Sequence, residues 1–425
     1  TVNIVSHSMK GNQMSEENTS PAALKGLKVL DLSRVLAGPW ATQMLADLGA
    51  DVVKVELPER GDDTRSWGPP FIKKIDGEQG EAAYFTCCNR NKKSITVDFS
   101  TPEGAELVRK LSVEADVLVE NFKVGSLKKY GLDYLSIKNI NPKIIYCSIS
   151  GFGQTGPYAH RLGYDFLIQG MGGLMSITGK PDSVEGGEPM KVGVAICDLF
   201  TGMNAGASIL AALHFRNQTG IGQQIDCSLL DNQISMLANQ ASSWLNGNTL
   251  PNRMGNSHPT VVPYRVFATL DGHVVITCGN DGQFQRLCEA LGVAELGVDP
   301  KYRTNDVRIL NREKLESHLQ SILGTMERNQ ILGDLEKMDV PCGPINTLTD
   351  VFSDPHVVYR EMQVDMERPD GTLIKTVAFP TKLSESPATY RNAPPSLGEN
   401  TDEVLMDWIN LDKERISIMR KTGII

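Results

Sequence analysis

Apolar positions in the first half of the chain alternate between two patterns. Lys28–Leu32 is a short apolar run, closed by Ala37-Gly38-Pro39. Ala41, Met44, Leu45 and Leu48 then recur at helical spacing, Gly49 stops them, and Val52–Val55 is a second short run. This predicts strand, helix, strand. Ser94–Phe99 predicts another strand. Thr101-Pro102-Glu103 reads as a helix start, with Pro at an early helical position, and Leu107, Val108 and Leu111 supply the apolar face. Asp116–Glu120 and Lys143–Ile149 complete a repeated βα unit. The pattern predicts a mostly parallel sheet with helices on both faces, an α/β fold spanning 24–245.

The pattern changes beyond residue 150. Residues 151–156 and 170–179 are glycine-rich, and the apolar segment Gly202–Phe215 predicts a buried helix. Ser228–Leu245 predicts another. Residues 246–263, rich in Asn, Pro and Gly, read as a linker into a smaller α+β domain over 264–355. That domain opens on a hairpin, Tyr264–Thr269 and His273–Thr277 around Asp271-Gly272. A helix with Phe284, Leu287, Cys288 and Leu291 follows, then polar helices over Asp306–Leu323 and Arg328–Met338. Residues 356–425 form a return linker and C-terminal segment, with a second hairpin at Asp370-Gly371 and a helix capped by Thr401. Residues 1–23 are a polar extension.

Composition narrows the function. The chain has 42 basic and 51 acidic residues, a net charge of -9, which argues against a nucleic-acid partner. A local basic cluster can still bind an anion. No stretch approaches the roughly 20 apolar residues of a membrane span, so no membrane partner is expected. Residues 1–20 show neither a signal-peptide core nor an Arg-rich presequence. The 8 cysteines have no C-x-x-C pair and no zinc spacing, which predicts free thiols and no metal.

The common nucleotide and hydrolase fingerprints are missing. No G-x-x-x-x-G-K-[ST], correctly spaced G-x-G-x-x-G or G-x-S-x-G occurs. A Rossmann-like pattern without those glycines needs another ligand. Asp198 lies between the strand-like run Val192–Cys197 and the Gly202–Phe215 helix. It reads as a helix N-cap, and the helix dipole would hold such a carboxylate ionised, as nucleophilic attack on a thioester requires. Lys92-Lys93 beside Arg90 is a basic cluster, either solvated surface or a phosphate anchor. Asn121-Phe122 follows a strand C-terminus, where open α/β sheets bind ligands, although a turn role is equally open. His160 and His258 are acid–base candidates with surface or loop roles as the alternative.

An ordered set of short motifs resembles the class III CoA-transferases of the formyl-CoA-transferase type. It runs through Leu30-Asp31-Leu32, Ala37-Gly38-Pro39, Leu48 to Glu56, Gly61-Asp62 with Arg65, and Asn91-Lys92-Lys93-Ser94 with Asp98. It continues in Glu120-Asn121-Phe122, Ser150-Gly151-Phe152-Gly153, Gly163-Tyr164-Asp165 and Thr219-Gly220 with Gly222-Gln223. Arg253, Gly255-Asn256, His258-Pro259 and Leu397 to Thr401 extend it to the end.

This resemblance implies a Rossmann-like large domain, a smaller α+β domain and an interlocked homodimer. It implies that Asp198 is the nucleophile, with Asp165 as rival. CoA contacts carry over onto Leu36, Ala37, Val97, Asp98, Asn121, Phe122, Lys123, Lys129, Tyr164 and Asp165. Lys129 stands where many members have Arg, keeping the charge and losing the planar fork. No cofactor is held permanently; coenzyme A thioesters and free dicarboxylic acids are the expected partners. The resemblance is to members that move CoA from succinyl-CoA to glutarate or 3-hydroxy-3-methylglutarate in mitochondria. A distal carboxylate calls for a cation, for which Arg34, Arg65, Arg90, Arg161, Arg253 and Arg265 are candidates beside His258. The chain lacks the four-glycine lid of the oxalate-type member. Two alternatives share the fold: an α-methylacyl-CoA racemase, which would need a His where Gly163-Tyr164-Asp165 has none, and a non-catalytic CoA-binding protein.

Overall fold

The computed structural model describes residues 22–425, so all but the last two residues of the polar extension expected over 1–23 lie outside the described residues. Among the described residues, one sheet contains β1 (Lys28–Asp31), β2 (Asp51–Glu56), β3 (Lys92–Thr96), β4 (Val117–Glu120), β5 (Ile145–Ser150) and β6 (Gln223–Ser228). Every neighbouring pair is parallel, and the spatial order is 3-2-1-4-5-6. The order reverses between β1 and β4, the place where doubly wound sheets open a crevice. Parallel strands are joined by crossovers that bury both faces, which explains their near-continuous apolar runs.

The helices that matter for the site are α1 (Ala37–Asp47), α2 (Pro102–Glu114), α3 (Asp165–Met171) and α4 (Ile196–Thr219). Near the C-terminus lie α5 (Thr401–Ile409) and α6 (Lys413–Lys421). On one face, Leu107, Val108 and Leu111 of α2 join Val404, Leu405 and Trp408 of α5 over Leu30, Val53 and Leu118. The C-terminal segment thus returns to complete that layer. On the other face, Ala41 and Leu45 of α1 and Ala205 and Ile209 of α4 cover Val29, Val52 and Val117. Gly202 lets α4 approach α1: a Cβ there would sit 2.6 Å from the Ala37 carbonyl oxygen.

A separate core gathers Phe267, Val274, Ile276, Phe284, Leu287, Leu315, Leu319, Ile331 and Leu335. It forms under the antiparallel strands Tyr264–Thr269, Gly272–Thr277 and Cys342–Pro344.

Several elements differ from the sequence reading. Val192–Cys197 forms no strand; α4 begins at Ile196, with Ala195 at its N-cap, so Asp198 sits inside the first turn. The third strand is Lys92–Thr96 rather than Ser94–Phe99, because a lysine with buried partners can occupy a buried strand. Ser228–Leu245 divides into Leu229–Met236 and Ala238–Gly247, broken where Ala238 adopts φ +42°. Asp306–Leu323 divides into Asn305–Leu310 and Arg312–Leu323. Asn400, not Thr401, occupies the N-cap of α5, and the Thr401 hydroxyl instead accepts the Thr96 N–H at 3.1 Å. The first hairpin turns on Leu270-Asp271, one residue earlier than expected, since Gly272 already pairs with Thr269. By length and composition α4, at 24 residues, is also apolar enough to cross a membrane. Packing on α1 buries one side of it, 44% of the apolar window.

Candidate functional site

Two adjoining cavities open at the C-terminal edge of the sheet, where the strand order reverses. The smaller, about 270 Å³, is walled by the segment after β1 (Arg34–Ala37), the segment after β4 (Asn121–Val124), the end of β5, the loop 161–164 and Asp198. The larger, about 400 Å³, lies beyond Phe122 and is walled by Leu32, Lys54, Asp62, Val97 and Asp98 among others. Arg34 and Phe122 belong to both.

The wall after β1 is strained. Val35 has φ 69°, a left-handed conformation that costs a β-branched residue free energy and persists only when its surroundings enforce it. Two anchors do so. The Asn121 side chain accepts the Arg34 N–H at 2.8 Å and donates to the Arg34 carbonyl at 2.7 Å. The Asp62 carboxylate accepts the Val35 N–H at 3.2 Å. Asp62 is itself paired with Lys54 Nζ at 2.8 Å, and both side chains are fully buried. Burial alone would raise the Asp62 pKa, but the Lys54 charge and hydrogen bonds from Lys54 and Thr64 hold it down at about 2.

Lys92 belongs to the same buried layer. Its ammonium contacts Asp31 at 3.0 Å, Asn89 Oδ1 at 2.9 Å and the Pro39 carbonyl at 3.0 Å. It is therefore neither solvated surface nor a phosphate anchor. Lys93 pairs with Asp51 and Glu403.

Asp198 is the acidic residue in the first turn of α4. The cap on that helix comes from α3. Asp165 Oδ2 accepts the Cys197 N–H at 2.7 Å and the Asp198 N–H at 3.4 Å. Gln169 fixes Asp165 by donating to its Oδ1 at 2.6 Å, while its own carbonyl accepts the Val192 N–H at 2.9 Å. Burial, and then the Asp165 charge, push the Asp198 carboxyl up to about 7. The expectation that the helix dipole keeps it ionised is thus corrected. Burial disfavours the charged form, a like charge sits beside it, and among the described residues no cation pairs with it.

The α3 segment is brought to this position by two glycines. A Cβ on Gly163 would lie 2.6 Å from the Gly151 Cα, so the two backbones touch and only glycine fits at either place.

The structure gathers most of the residues singled out in the sequence. Leu36, Ala37, Asn121, Phe122, Lys123 and Tyr164 line the smaller cavity, and Val97 and Asp98 the larger. Asp165 lies behind Asp198. Lys129 lines neither cavity and rests on the Tyr130 ring at 4.6 Å. Among the arginines, Arg34 and Arg161 reach the cavity.

The other four arginines are committed elsewhere. Arg65 forks onto Glu56 with two contacts of 2.7 Å and reaches Glu81. Arg90 holds Asp47 at 2.6 and 2.9 Å. Arg253 pairs with Asp182, and Arg265 with Glu316 at 2.6 Å. His258 stacks on Tyr264, its Nδ1 takes the Thr260 N–H, and it is not part of the cavity wall; nor is His160.

Three features escaped the sequence reading. The strain at Val35 and the Gly151–Gly163 contact have no local pattern. Tyr84 is the third: burial and the charge of nearby Asp198 push its hydroxyl up to about 12. Among the described residues, no group of three or more His, Cys, Asp or Glu side chains gathers as a metal site would require.

Comparison with known proteins gives this arrangement its context. Residues 24–401 match the family described as CoA-transferase family III. The chain is 49% identical over 390 residues to the succinate–glutarate CoA-transferase of Agrobacterium fabrum, covering 92% of this chain and 96% of that protein. It is 43% identical over 402 residues to the succinyl-CoA:glutarate CoA-transferase of Mus musculus, covering 95% of this chain and 90% of that one. Its fold superposes on the crystal structure of a CAIB/BAIF family protein from Brucella suis with a TM-score of 0.81 and 50% identity, covering 91% of this chain and 100% of that chain. The chain belongs to CoA-transferase family III.

Proposed function

We propose that this protein transfers CoA from succinyl-CoA to glutarate or a related dicarboxylic acid, with Asp198 as the nucleophile. The observation that carries the reading is the Asp198 carboxyl. It has no cation partner among the described residues, is pushed up to about 7, and faces a cavity at the strand-order reversal. A carboxylate tied into an ion pair would be a poor nucleophile. One near neutrality is ionised in a large fraction of molecules at pH 7 yet is poorly solvated, which favours attack. The relatives' substrates supply the choice of acids.

The chemistry balances without ATP or metal. An Asp198 oxygen attacks the succinyl-CoA carbonyl, the C–S bond breaks, and CoA thiolate leaves a succinyl–aspartyl anhydride. The thiolate attacks the aspartyl carbonyl, releasing succinate and forming an aspartyl-CoA thioester. A glutarate carboxylate then attacks that thioester, giving a glutaryl–aspartyl anhydride and thiolate again. The thiolate takes the glutaryl group, and Asp198 is restored. In this reading the nucleotide end of CoA takes the larger cavity beside Val97 and Asp98. Its pantetheine arm passes Arg34 and Phe122, the two residues common to both cavities. Binding that remote end positions the thioester over Asp198.

The working form in this reading is a homodimer. A compact monomer of 46.5 kDa exposes roughly 16,000 Å², whereas this chain exposes 23373 Å². The undescribed residues 1–21 account for at most about 3,500 Å² of the excess. Tyr164 at the N-cap of α3, Phe166 on α3, Met203 on α4, and Ile234, Trp244 and Leu245 on the helices after β6 are exposed apolar side chains, and a second copy would bury them. The mitochondrial placement implied by the resemblance belongs to the same proposal.

Incubation with succinyl-CoA in the presence of hydroxylamine tests the covalent route. A hydroxamate on the Asp198 peptide, seen by mass spectrometry, is the expected result, and Asp198→Asn should lower transfer by at least 10⁴-fold. Undiminished transfer by Asp198→Asn would remove Asp198 from the mechanism.

A further inference from the structure

The structure divides the cavity's two arginines between two jobs. We infer that Arg161 binds the distal carboxylate of the acid being loaded or unloaded, which makes it the residue that selects dicarboxylic over monocarboxylic acids. This rests on the CoA-transfer reading above and adds the specificity-determining contact to it.

The inference starts from position. Arg34 belongs to both cavities, lies 3.4 Å from Asp63 and stacks on Phe122 at 5.0 Å. It stands at the junction through which a long ligand must pass, so its charge suits the phosphates or amides of CoA. Arg161 belongs only to the smaller cavity, the one with Asp198. Its guanidinium lies over an aromatic pair, 4.6 Å from the Tyr158 ring and 5.3 Å from Phe152. Those rings pack edge to face at 5.7 Å. Among the described residues no carboxylate lies within 4.0 Å of it. The other arginine candidates all have such partners. Arg161 is the arginine of the acyl compartment whose fork remains available; Lys123 on the same wall is a point charge without that planar fork.

Dimensions agree. A cavity of about 270 Å³ is roughly 8 Å across if spherical. The two carboxyl carbons of extended glutarate are four C–C bonds apart, about 5 Å. One carboxylate can therefore meet Asp198 while the other meets a group on the wall. A planar guanidinium held on an aromatic pair presents two parallel N–H donors, the geometry a carboxylate accepts best. The side chain is exposed, but the backbone beneath it is held. Arg161 is carried on the turn closed by its own N–H to the Tyr158 carbonyl at 2.9 Å, just ahead of Gly163, whose backbone touches Gly151. The same contact should serve succinyl-CoA, whose free carboxylate reaches the same wall.

The test compares glutarate with pentanoate, which has the same chain length and no distal carboxylate, in the full-length protein with succinyl-CoA as donor. Wild type is expected to prefer glutarate. Arg161→Leu should reduce the glutarate-to-pentanoate ratio of kcat/KM by roughly 10- to 100-fold, chiefly by raising the glutarate KM. Arg161→Lys, which keeps charge and loses the fork, should recover part of the ratio. Arg34→Leu should raise the KM for succinyl-CoA and leave the ratio unchanged. A wild type that takes both acids equally overturns the inference. So does Arg161→Leu lowering both acids in proportion, or Arg34→Leu being the variant that alters the ratio. Wild-type protein that transfers CoA to no acid would instead overturn the function proposed above.

Discussion

On the sheet side of the cavity Asp31, Asp62 and Glu56 lie against Lys92, Lys54 and Arg65. On the helix side Asp165 and Asp198 lie near each other with no cation between them. Burial acts on Asp198 in the same direction as on the three sheet-side carboxyls. On the sheet side the cations reverse it, so all three carboxyls sit below their ordinary range, Asp62 at about 2. On the helix side nothing reverses it, and Asp198 rises to about 7. Paired charges fix geometry, and an unpaired one retains reactivity. The paired layer holds the strained Val35 wall, and that wall shares its cavity with Asp198. Glu120 is the exception on the sheet side. It is buried without a cation, is pushed up to about 7, and accepts the Phe122 N–H at 2.9 Å behind the cavity wall.

The largest expected effect comes from breaking a pair. Lys54→Met leaves Asp62 buried without its cation and removes the donor to the Ser33 carbonyl at 2.8 Å. Loss of one partner of a buried pair costs about 3–5 kcal/mol. The sign with pH separates this from a simple packing defect. In wild type the depressed Asp62 pKa contributes stability above the unfolded carboxylate value near 3.8, and that stability is lost as pH falls toward 2. In the variant the folded pKa should rise instead. The deficit should then be greatest at neutral pH and shrink as the medium is acidified through about pH 4. Urea midpoints at pH 7 and pH 4 measure it. A deficit independent of pH would mean that the pair is not what holds the wall.

The two sides were unequally legible in the sequence. Strand and helix alternation, the Thr101-Pro102 helix start and the hairpins could be read because periodicity and turn chemistry are local. The third strand was displaced by two residues because Lys92 and Lys93 look like surface, and only the fold supplies Asp31 to one of them. The same limit applied to the arginines: Arg65 and Arg90 resemble free cations until Glu56 and Asp47 are brought beside them. Asp198 stands out through motif order, while its cap does not. Asp165 precedes it by 33 residues, and no spacing rule links them. The sequence reading supplied the Asp198 helix with a dipole and overlooked the burial and the like charge that raise the Asp198 pKa.

A smaller effect is expected from removing that like charge. Asp165→Asn keeps an oxygen that can accept the Cys197 N–H, so α4 should remain capped. The Asp198 pKa should then fall, by about one unit for loss of a neighbouring charge. In wild type the ionised fraction of Asp198 drops tenfold per pH unit below about 7, and with it the rate if Asp198 is the nucleophile as proposed. The acid limb of kcat/KM should accordingly move to lower pH in the variant. Stability should follow with its own sign. A folded pKa raised above 3.8 means that wild type loses stability as pH climbs from about 4 to about 7. That loss should be smaller in Asp165→Asn. An unmoved acid limb would show that burial alone sets the Asp198 pKa.

The smallest effect concerns a cation that belongs to neither side. Lys129 is a CoA contact by family resemblance alone. In this fold it is exposed, outside both cavities, and rests on Tyr130 at 4.6 Å. A mobile ammonium in water, screened over about 8–10 Å by physiological salt, adds little to a ligand it does not touch. If charge matters here only where it is buried or aimed, Lys129→Ala should change the KM for succinyl-CoA less than about threefold. Lys129→Arg should then gain nothing, because the planar fork has no oxygen to meet. Steady-state KM values at two ionic strengths check both variants. A tenfold rise in KM for Lys129→Ala that grows as salt is lowered would place the CoA phosphates along the 128–130 turn. The larger cavity beside Val97 would then no longer be where the nucleotide sits.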